Sequence, residues 1–218
     1  IFAGATGWAL HMDEASRQGV LAISALPVVL QVGCLLLLHS LMQYWLHRAG
    51  HQWAVLWRLH RIHHTDTMLD ATTGLRHHPL ESVVEYIPLL CLILILTPSA
   101  AGVLGFLALN IAFALFTHMN PACLPARLDR ALAHFIMTPR LHRLHHSTWQ
   151  PETDTNYGNI LVIWDRLFGT FLAAPDNVRA GFLLGLDSFP AQQAQDPFAL
   201  IASAFLPADP AGETAKRD

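Results

Sequence analysis

Eight of the fourteen histidines in this 218-residue chain fall in three clusters whose spacing suits metal binding. One cluster is an HxxxH pair, and the other two are HxxHH triplets, one in each half of the chain. Imidazole is the side chain best suited to bind iron, copper or zinc at neutral pH. Residues three and four apart share one face of an α-helix, so each cluster should project its rings from one stripe. A preassembled site for two metal ions is therefore predicted from His47, His51, His60, His63, His64, His142, His145 and His146.

Two familiar metal-dependent chemistries do not fit these clusters. In zinc proteases with an HExxH motif, the residue after the first histidine is a glutamate that acts as general base. Here that residue is Arg48, so the pair formed by His47 and His51 lacks a proton acceptor for hydrolysis. The carboxylate di-iron bundles need glutamates and Glu-x-x-His motifs on facing helices. What remains is a site ligated almost wholly by neutral imidazoles. Such ligands neutralise the charge of bound iron poorly, which favours an electrophilic centre that activates oxygen.

The composition indicates a protein of the lipid bilayer. Hydrophobic residues make up 53% of the chain and charged residues 13%, whereas a soluble domain carries about 25% charged residues. The net charge of −3 gives no reason to expect nucleic acid as a partner. Cys34, Cys91 and Cys123 are far apart and form no CxxC pair, so we expect buried free thiols. The chain begins at Ile1 in the middle of a pattern, so we expect an N-terminal portion to be missing.

Two long apolar stretches predict membrane-spanning helices. Val20 to Leu46 would form a helix of about 40 Å, enough to cross a hydrocarbon core of about 30 Å with tilt. Val83 to Thr117, at about 50 Å, is too long for one crossing and contains turn-forming residues around Pro98. It therefore predicts a hairpin of two short spans. Ile1 to Leu10 is interpreted as the end of an earlier span.

The histidines at the two ends of this hairpin support the same topology. His77 and His78 precede it, and His118 follows it. If these residues join one site, the intervening chain must cross the membrane an even number of times. The predicted fold is therefore all-α: an integral-membrane helical bundle of about three to four spans or half-spans. A cytosolic helical cap would carry the histidine-ligated di-metal site.

The basic residues predict which face is cytoplasmic, because lysine and arginine concentrate on the cytoplasmic side of membrane proteins. The opposite side holds only Arg17. Residues 1–186 are predicted to form a single membrane-embedded domain. Residues 187–218 are predicted to form a loosely structured tail with one weak helix around 198–205. Ten of the thirteen basic residues lie on the histidine-bearing side: Arg48, Arg58, Arg61, Arg76, Arg127, Arg130, Arg140, Arg143, Arg166 and Arg179.

Further motifs surround the clusters. In chain order they are Thr72 to Glu81 (TTGLRHHPLE), Phe116 to Asn120 (FTHMN), Thr138 to His142 (TPRLH), Asn156 to Asn159 (NYGN) and Trp164 to Thr170 (WDRLFGT). With these motifs, residues 39–175 resemble the fatty acid hydroxylase/sterol desaturase superfamily of integral-membrane histidine-box oxidases. The motifs are specific when taken together, and they cover most of the chain.

The resemblance implies a membrane-bound non-haem di-iron oxygenase that hydroxylates or desaturates an aliphatic lipid or sterol-like substrate from the bilayer. It implies two iron ions, for which zinc could substitute in a purified sample, and O2 as co-substrate. The sequence has no dinucleotide fingerprint, haem-attachment motif or cysteine cluster, so we expect a separate electron donor protein. The family's ligands carry over to the eight clustered histidines, and His78 and His118 match additional motif histidines.

Four other histidines have a less defined place. His77 is adjacent to His78, and adjacent rings on a helix diverge by about 100°, so it is interpreted as a neighbour of the site. His134 lies eight residues before the third cluster and off its motif, and its part in the site stays open. His11 and His39 have no motif around them and are interpreted as structural.

The charged and small residues near the motifs leave two interpretations each. Four carboxylates would either orient imidazole N–H groups or serve as arginine partners and helix caps: Asp66, Asp70, Glu81 and Asp165. Four arginines would either bind lipid headgroups or carry plain membrane-facing charge: Arg58, Arg61, Arg140 and Arg143. Five small residues would either leave room for a substrate or let helices pack closely: Gly102, Gly105, Ala108, Ala112 and Ala114.

A histidine-rich membrane metal transporter is the alternative to the oxygenase. Transporters place their ligands near the bilayer midplane on broken helices. Here each cluster lies at or beyond the polar end of an apolar stretch, which favours a site at the membrane surface.

Overall fold

The computed structural model describes residues 21–175, 181–186, 189 and 196–205. Within these residues the chain is helical and contains no strand, only isolated bridges between Ile136 and Leu161 and between Ser147 and Leu184. Two 3-10 turns cover Ala71–Leu75 and Pro121–Cys123. The α-helices are α1 (Val28–Gln52), α2 (Ala54–His64), α3 (Pro79–Leu96), α4 (Ala100–Thr117), α5 (Ala126–Leu132), α6 (Pro139–His145), α7 (Gln150–Thr153), α8 (Ile163–Leu167) and α9 (Pro197–Ser203). The predicted all-α fold is confirmed.

Three of the described helices, α1, α3 and α4, are long and apolar enough to cross a membrane. They contain 25, 18 and 18 residues. Helix α1 begins at Val28 rather than at Val20, because Pro27 lies at its N-cap and residues 21–27 form turns and irregular chain. The C-terminal end of α1 extends beyond the apolar residues and includes His47 and His51. The earlier span predicted at 1–10 lies outside the described residues.

The hairpin predicted around Pro98 is present between α3 and α4. Thr97 adopts a left-handed conformation (φ 40°), and the side chain of Ser99 caps α4 by accepting a hydrogen bond from the Gly102 N–H. Gln31 of α1 is buried beside this turn, and its Oε1 accepts hydrogen bonds from the Ser99 N–H at 2.7 Å and the hydroxyl at 2.9 Å. A Cβ at Gly102 would lie 2.5 Å from that oxygen and 3.1 Å from the Gln31 Cβ, so a side chain there would displace the Gln31 amide. The amide of Gln31 thus fixes the loop between the two spans.

The core between the spans is formed by apolar side chains of α1, α3 and α4. It consists of Leu35, Leu89, Leu92, Ile93, Leu96, Val103, Phe106 and Leu107. Close helix packing, and not room for a substrate, explains the small size of Gly102 and Gly105, two of the five small residues weighed from sequence. Gly102 packs against Gln31, and a Cβ on Gly105 would lie 3.0 Å from Val32. Cys34, Cys91 and Cys123 are free thiols, as predicted, but the predicted burial is wrong: Cys34 is half-buried, and Cys91 and Cys123 are exposed on the surface of the chain.

Helix α9 packs against α2. Leu200 and Ser203 are buried, and the Arg61 guanidinium donates a hydrogen bond of 2.5 Å to the Ser203 carbonyl. This helix lies in the range predicted for a weak helix at 198–205. The division of the chain into a domain at 1–186 and a tail at 187–218 stays a prediction.

Candidate metal centre

Four segments bring histidines to one end of the three apolar helices. Helix α1 presents the HxxxH pair, with ring centroids 5.3 Å apart. The chain turns at Trp53, whose backbone is extended, so α2 folds back beside α1 and presents the first HxxHH triplet. Helix α6 begins at Pro139 after the Thr138 N-cap and presents the second triplet. His118 follows directly on the last residue of α4.

His118 is held in place from two sides. Its Nδ1 lies 2.7 Å from the Ala114 carbonyl, one turn back on α4. The turn around Gly74 closes over it: a Cβ at Gly74 would lie 2.6 Å from the Ala114 oxygen and 3.0 Å from His118 Nδ1. The glycine in the TTGLRHHPLE motif therefore has a steric role, since it lets backbone pack against this ring.

Nine of the ten predicted ligands come together in two groups. Within each group one nitrogen per ring lies within 4.8 Å of the others, and the rings are buried or half-buried. Site A consists of His47, His51, His60, His64 and His145. Site B consists of His63, His118, His142 and His146.

Each HxxHH triplet is divided between the two sites. His60 and His64 belong to site A, whereas His63 between them turns to site B. In the second triplet the order is reversed: the outer pair contributes to site B, and His145 contributes to site A. Rings four apart lie on one face, whereas neighbouring residues diverge by about 100°. The single stripe expected for each triplet is therefore too simple, and the doubled histidine serves two adjacent centres.

Ring orientation is fixed by acceptors behind the imidazoles. His47 Nδ1 lies 2.7 Å from the Tyr157 carbonyl, and His145 Nδ1 lies 2.8 Å from the Thr155 carbonyl. Because a carbonyl only accepts, the proton of each neutral ring is on Nδ1, and Nε2 carries the lone pair. His118 has the same arrangement at Ala114. These contacts are the ones that orient metal-binding imidazoles in proteins.

The inward-facing nitrogens lie very close together. In site B, His118 Nε2 is 3.1 Å from His63 Nε2 and 2.9 Å from His142 Nε2. In site A, His60 and His64 approach to 3.1 Å through the same atoms. Metal–imidazole bonds of about 2.1 Å place ligands at right angles about 3.0 Å apart. Lone pairs converging at this distance are the arrangement that a metal cation stabilises, so the residues present fit a pair of metal ions.

The protonation state of the buried histidines agrees with metal binding. Burial, followed by the neighbouring imidazoles, holds the pKa of His63, His64, His142 and His146 well below the usual value. For His118, burial lowers the pKa to about 4, although the bond to Ala114 opposes this shift. Neutral imidazole is the form that binds a metal. These five rings are therefore in the binding form at neutral pH.

Glu81 provides the one carboxylate of the four weighed from sequence that contacts a clustered ring. Its Oε1 lies 2.6 Å from His60 Nδ1, and both side chains are buried. Asp66 and Asp70 instead hold the turn at 71–75, since Asp66 accepts from the Thr73 hydroxyl and Asp70 forms a capping box. Asp165 binds backbone N–H groups of the loop after α7.

Substituting Glu81 by glutamine should weaken metal binding at site A by about 10- to 100-fold, the usual cost of losing such an acceptor. Glutamine keeps the size but replaces a charged acceptor, so His60 loses both its orientation and part of its basicity. Chelator competition on the purified protein would measure the change. Glu85→Gln, one turn further along α3, changes the carboxylate grouped with His77 and Glu81 instead of the one bonded to His60, so its effect on site A should be smaller. Equal affinity in Glu81→Gln and the wild type would contradict the assignment.

A loop missed by the sequence reasoning supports site A from outside the membrane. It contains Thr155 and Tyr157, whose carbonyls face His145 and His47, and Asp154, whose carboxylate lies 3.4 Å from His51 Nδ1. Every residue has a backbone carbonyl, so residue types could not reveal these acceptors. The NYGN motif at 156–159, however, could have indicated that this loop belongs to the site. Asn156 adopts a positive φ of 55° and donates to the Leu141 carbonyl on α6, which ties the loop to the second triplet.

The remaining histidines lie outside the two sites. His78 caps α3, with Nδ1 accepting from the Leu80 N–H at 3.0 Å, and it belongs to neither group of the described residues. Its prediction as a ligand gains no support from this position. His77 stacks on His63, with centroids 4.7 Å apart. Burial alone would lower the pKa of His77, but the bond to Glu81 and nearby carboxylates raise it to about 9. His134 lies beside Phe135, and His11 is outside the described residues.

Three of the four arginines weighed as lipid-binding residues (Arg58, Arg61, Arg140 and Arg143) have protein contacts of differing kinds in the described part of the chain. Arg61 binds the carbonyl of Ser203, and the Arg143 guanidinium lies 5.2 Å from the ring of Phe182. Arg140 lies 3.9 Å from Asp129. Neither interpretation of these residues is decided by the contacts.

Comparison with known proteins gives one family and several relatives. A family model described as fatty acid hydroxylase matches residues 32–170. The alkylglycerol monooxygenase of Danio rerio is 32% identical over 146 residues, which cover 67% of this chain and 31% of that protein. The ornithine lipid hydroxylase OlsE of Rhizobium tropici is 36% identical over 150 residues, covering 68% of this chain and 44% of that protein. The very-long-chain aldehyde decarbonylase GL1-4 of Oryza sativa subsp. indica is 29% identical over 154 residues, covering 67% and 24%.

The matched part spans less than half the length of these relatives. No solved structure matches the chain. The region of similarity contains all nine histidines of sites A and B.

Proposed function

Because this chain belongs to the fatty acid hydroxylase family, we propose that it is the core of a membrane-bound non-haem di-iron oxygenase. It would hydroxylate or desaturate an aliphatic lipid or sterol-like substrate with O2. The observation that carries the proposal is the pair of adjacent, buried imidazole groups at one end of three apolar helices. The relatives are named as a monooxygenase, a hydroxylase and a decarbonylase, which supports oxidation of lipid-like molecules.

The proposed ligands are the nine histidines of sites A and B, which would hold two iron ions. When bound, the iron would supply the activation of O2 that attack on an unactivated C–H bond requires. The chain itself would hold the ligands neutral by burial and orient His47, His118 and His145 through carbonyls. Hydroxylation inserts one oxygen atom and reduces the other to water, so it consumes two electrons and two protons. We propose a separate redox protein as their source.

The site would face the cytoplasm. In the sequence, ten of the thirteen basic residues fall in segments assigned to the histidine-bearing side of the apolar stretches, and the positive-inside rule associates such an excess with the cytoplasm. The substrate would enter from the bilayer, a route supported by the position of the histidines at one end of three helices long and apolar enough to cross a membrane.

The alternative, a metal transporter, is not favoured. A transporter binds its cargo reversibly along a path through the membrane. Sites A and B lie instead at the ends of α1 and α4, closed by the loop at 154–158 and the turn around Gly74. The family match points the same way.

Lipid profiling under 18O2 tests the proposal. Membranes of a host that produces the wild-type chain should contain a lipid with one added 18O atom, or one lacking two hydrogens. That product should be missing with His142→Ala and present with the control His134→Ala. If the lipids are unchanged while the protein is produced with full metal content and a reductase system is supplied, the oxygenase proposal is refuted.

A further inference from the structure

A cavity of about 320 Å³ extends from the metal centre into the membrane-spanning part of the fold. Its upper wall includes His63, His118 and His142, all from site B. Apolar residues such as Ile111 and Ala114 line its side. An apolar cavity that reaches the metal centre is what a lipid-oxidising site needs. The unexpected feature is the number of polar side chains further inside.

Two of these polar residues lie well below the metal centre. His39 is eight residues before His47 on α1, and Asn110 is eight residues before His118 on α4. At 1.5 Å per residue, each is about 12 Å further into the span than the histidine on its own helix. The His39 ring packs on Phe106 at 5.0 Å, and Phe106 lies one turn from Asn110 on α4. The two polar residues therefore share one region of the cavity.

Both residues carry buried polar atoms without a hydrogen-bond partner in the described part of the chain. These atoms are His39 Nδ1 and Asn110 Oδ1, and Asn159 Oδ1 on the cavity wall is in the same state. His39 is only 3% exposed. Polar atoms inside a bilayer-spanning bundle are costly when unpaired and often mark a binding site. A plain hydrocarbon chain would leave all three atoms unpaired.

We propose that the cavity binds a lipid with a hydroxyl group and that His39 and Asn110 hold this hydroxyl inside the span. The inference rests on the proposed function and names its substrate class. A hydroxyl both donates and accepts, so it can donate to Asn110 Oδ1 and accept from His39 Nδ1. The bound hydroxyl fixes the depth of the lipid, and that depth determines which carbon reaches the metal centre. His39, interpreted from sequence as structural, is then a specificity-determining residue.

Binding of 1-hexadecanol and of its methyl ether tests this proposal. The two probes have the same alkyl chain, but the ether cannot donate a hydrogen bond. Wild-type protein in phosphatidylcholine nanodiscs, with its metals and without reductant, should bind the alcohol about tenfold more tightly than the ether. Asn110→Leu should weaken alcohol binding about tenfold and leave ether binding unchanged, whereas Leu109→Ala, on the exposed side of α4, should change neither. His39→Phe keeps the packing on Phe106 and should weaken binding of both probes, because the ether oxygen can also accept a hydrogen bond from His39 Nδ1.

Equal binding of the two probes to the wild type, or no saturable binding of the alcohol, would overturn the proposal. So would an Asn110→Leu variant that loses affinity for both probes equally, since that result indicates a packing effect. Metal content is measured on every sample and should not change. Because no turnover is needed, a failure here leaves the oxygenase proposal standing. A preference for the alcohol, in turn, would survive a failure to detect oxidation.

Discussion

His63→Ala and His145→Ala should each reduce the bound metal from two ions per chain to about one and lower lipid oxidation by at least about 100-fold. The two residues come from different triplets and belong to different sites: His63 to site B and His145 to site A. Each substitution removes one ligand from a group of four or five. In the proposed di-iron oxygenase both metals would be needed for oxygen chemistry, so losing either one would stop turnover. Elemental analysis and product assays on the purified variants would measure both effects.

The double variant extends this test. Because the sites are adjacent but use different rings, His63→Ala together with His145→Ala should bind almost no metal. His134→Ala, which alters a histidine outside both sites, should keep both ions and full activity. Full activity in the two single variants would refute the ligand assignment.

Asp165→Leu should destabilise the protein by about 3 kcal/mol or more, because it leaves two buried backbone N–H groups without an acceptor. Asp165 is fully buried and accepts from the Tyr157 N–H at 2.7 Å, the Gly158 N–H at 2.8 Å and the Thr170 hydroxyl at 2.7 Å. The same Tyr157 orients His47 through its carbonyl. Displacement of this loop should therefore also loosen metal at site A. The midpoint of thermal unfolding and the metal content would report the two effects separately.

Thr170→Val is the matched control for this prediction. It removes the hydroxyl that bonds Asp165 and Tyr44 but leaves both backbone N–H groups paired, so its cost should be about 2 kcal/mol and below that of Asp165→Leu. If Asp165→Leu unfolded at the wild-type temperature and retained both metals, the proposed role of the loop would be wrong.

The sequence was sufficient to predict the helical membrane fold and to single out the nine histidines that lie together in sites A and B; their role as metal ligands stays a prediction. Spacing of three and four residues specifies which rings share a face of a helix. The turn-forming residues around Pro98 specify the hairpin. The start of α1 was misplaced by eight residues, because Val20 to Pro27 is apolar but Pro27 removes a backbone donor and precedes the first helical turn. Hydropathy alone does not reveal that boundary.

The sequence could not predict that each HxxHH triplet is divided between two sites. It depends on how α2 and α6 face each other, which spacing within one helix does not determine. The sequence also could not predict the hydrogen-bond acceptors that orient three of the rings. His47, His118 and His145 each contact a backbone carbonyl, and every residue has one. His78 illustrates the converse. It sits in a matching motif, yet its backbone position at the N-cap of α3 turns Nδ1 toward the Leu80 N–H.

The metal content of the purified wild-type chain tests the central claim most directly. Protein produced in iron-supplemented cells and purified in nanodiscs should contain two iron ions per chain, measured by elemental analysis, with no porphyrin absorbance. His63→Ala and His145→Ala should each contain about one, which ties the count to sites A and B rather than to loosely bound metal. A wild-type chain that holds one ion or none after loading with iron, or that carries haem, would contradict the account.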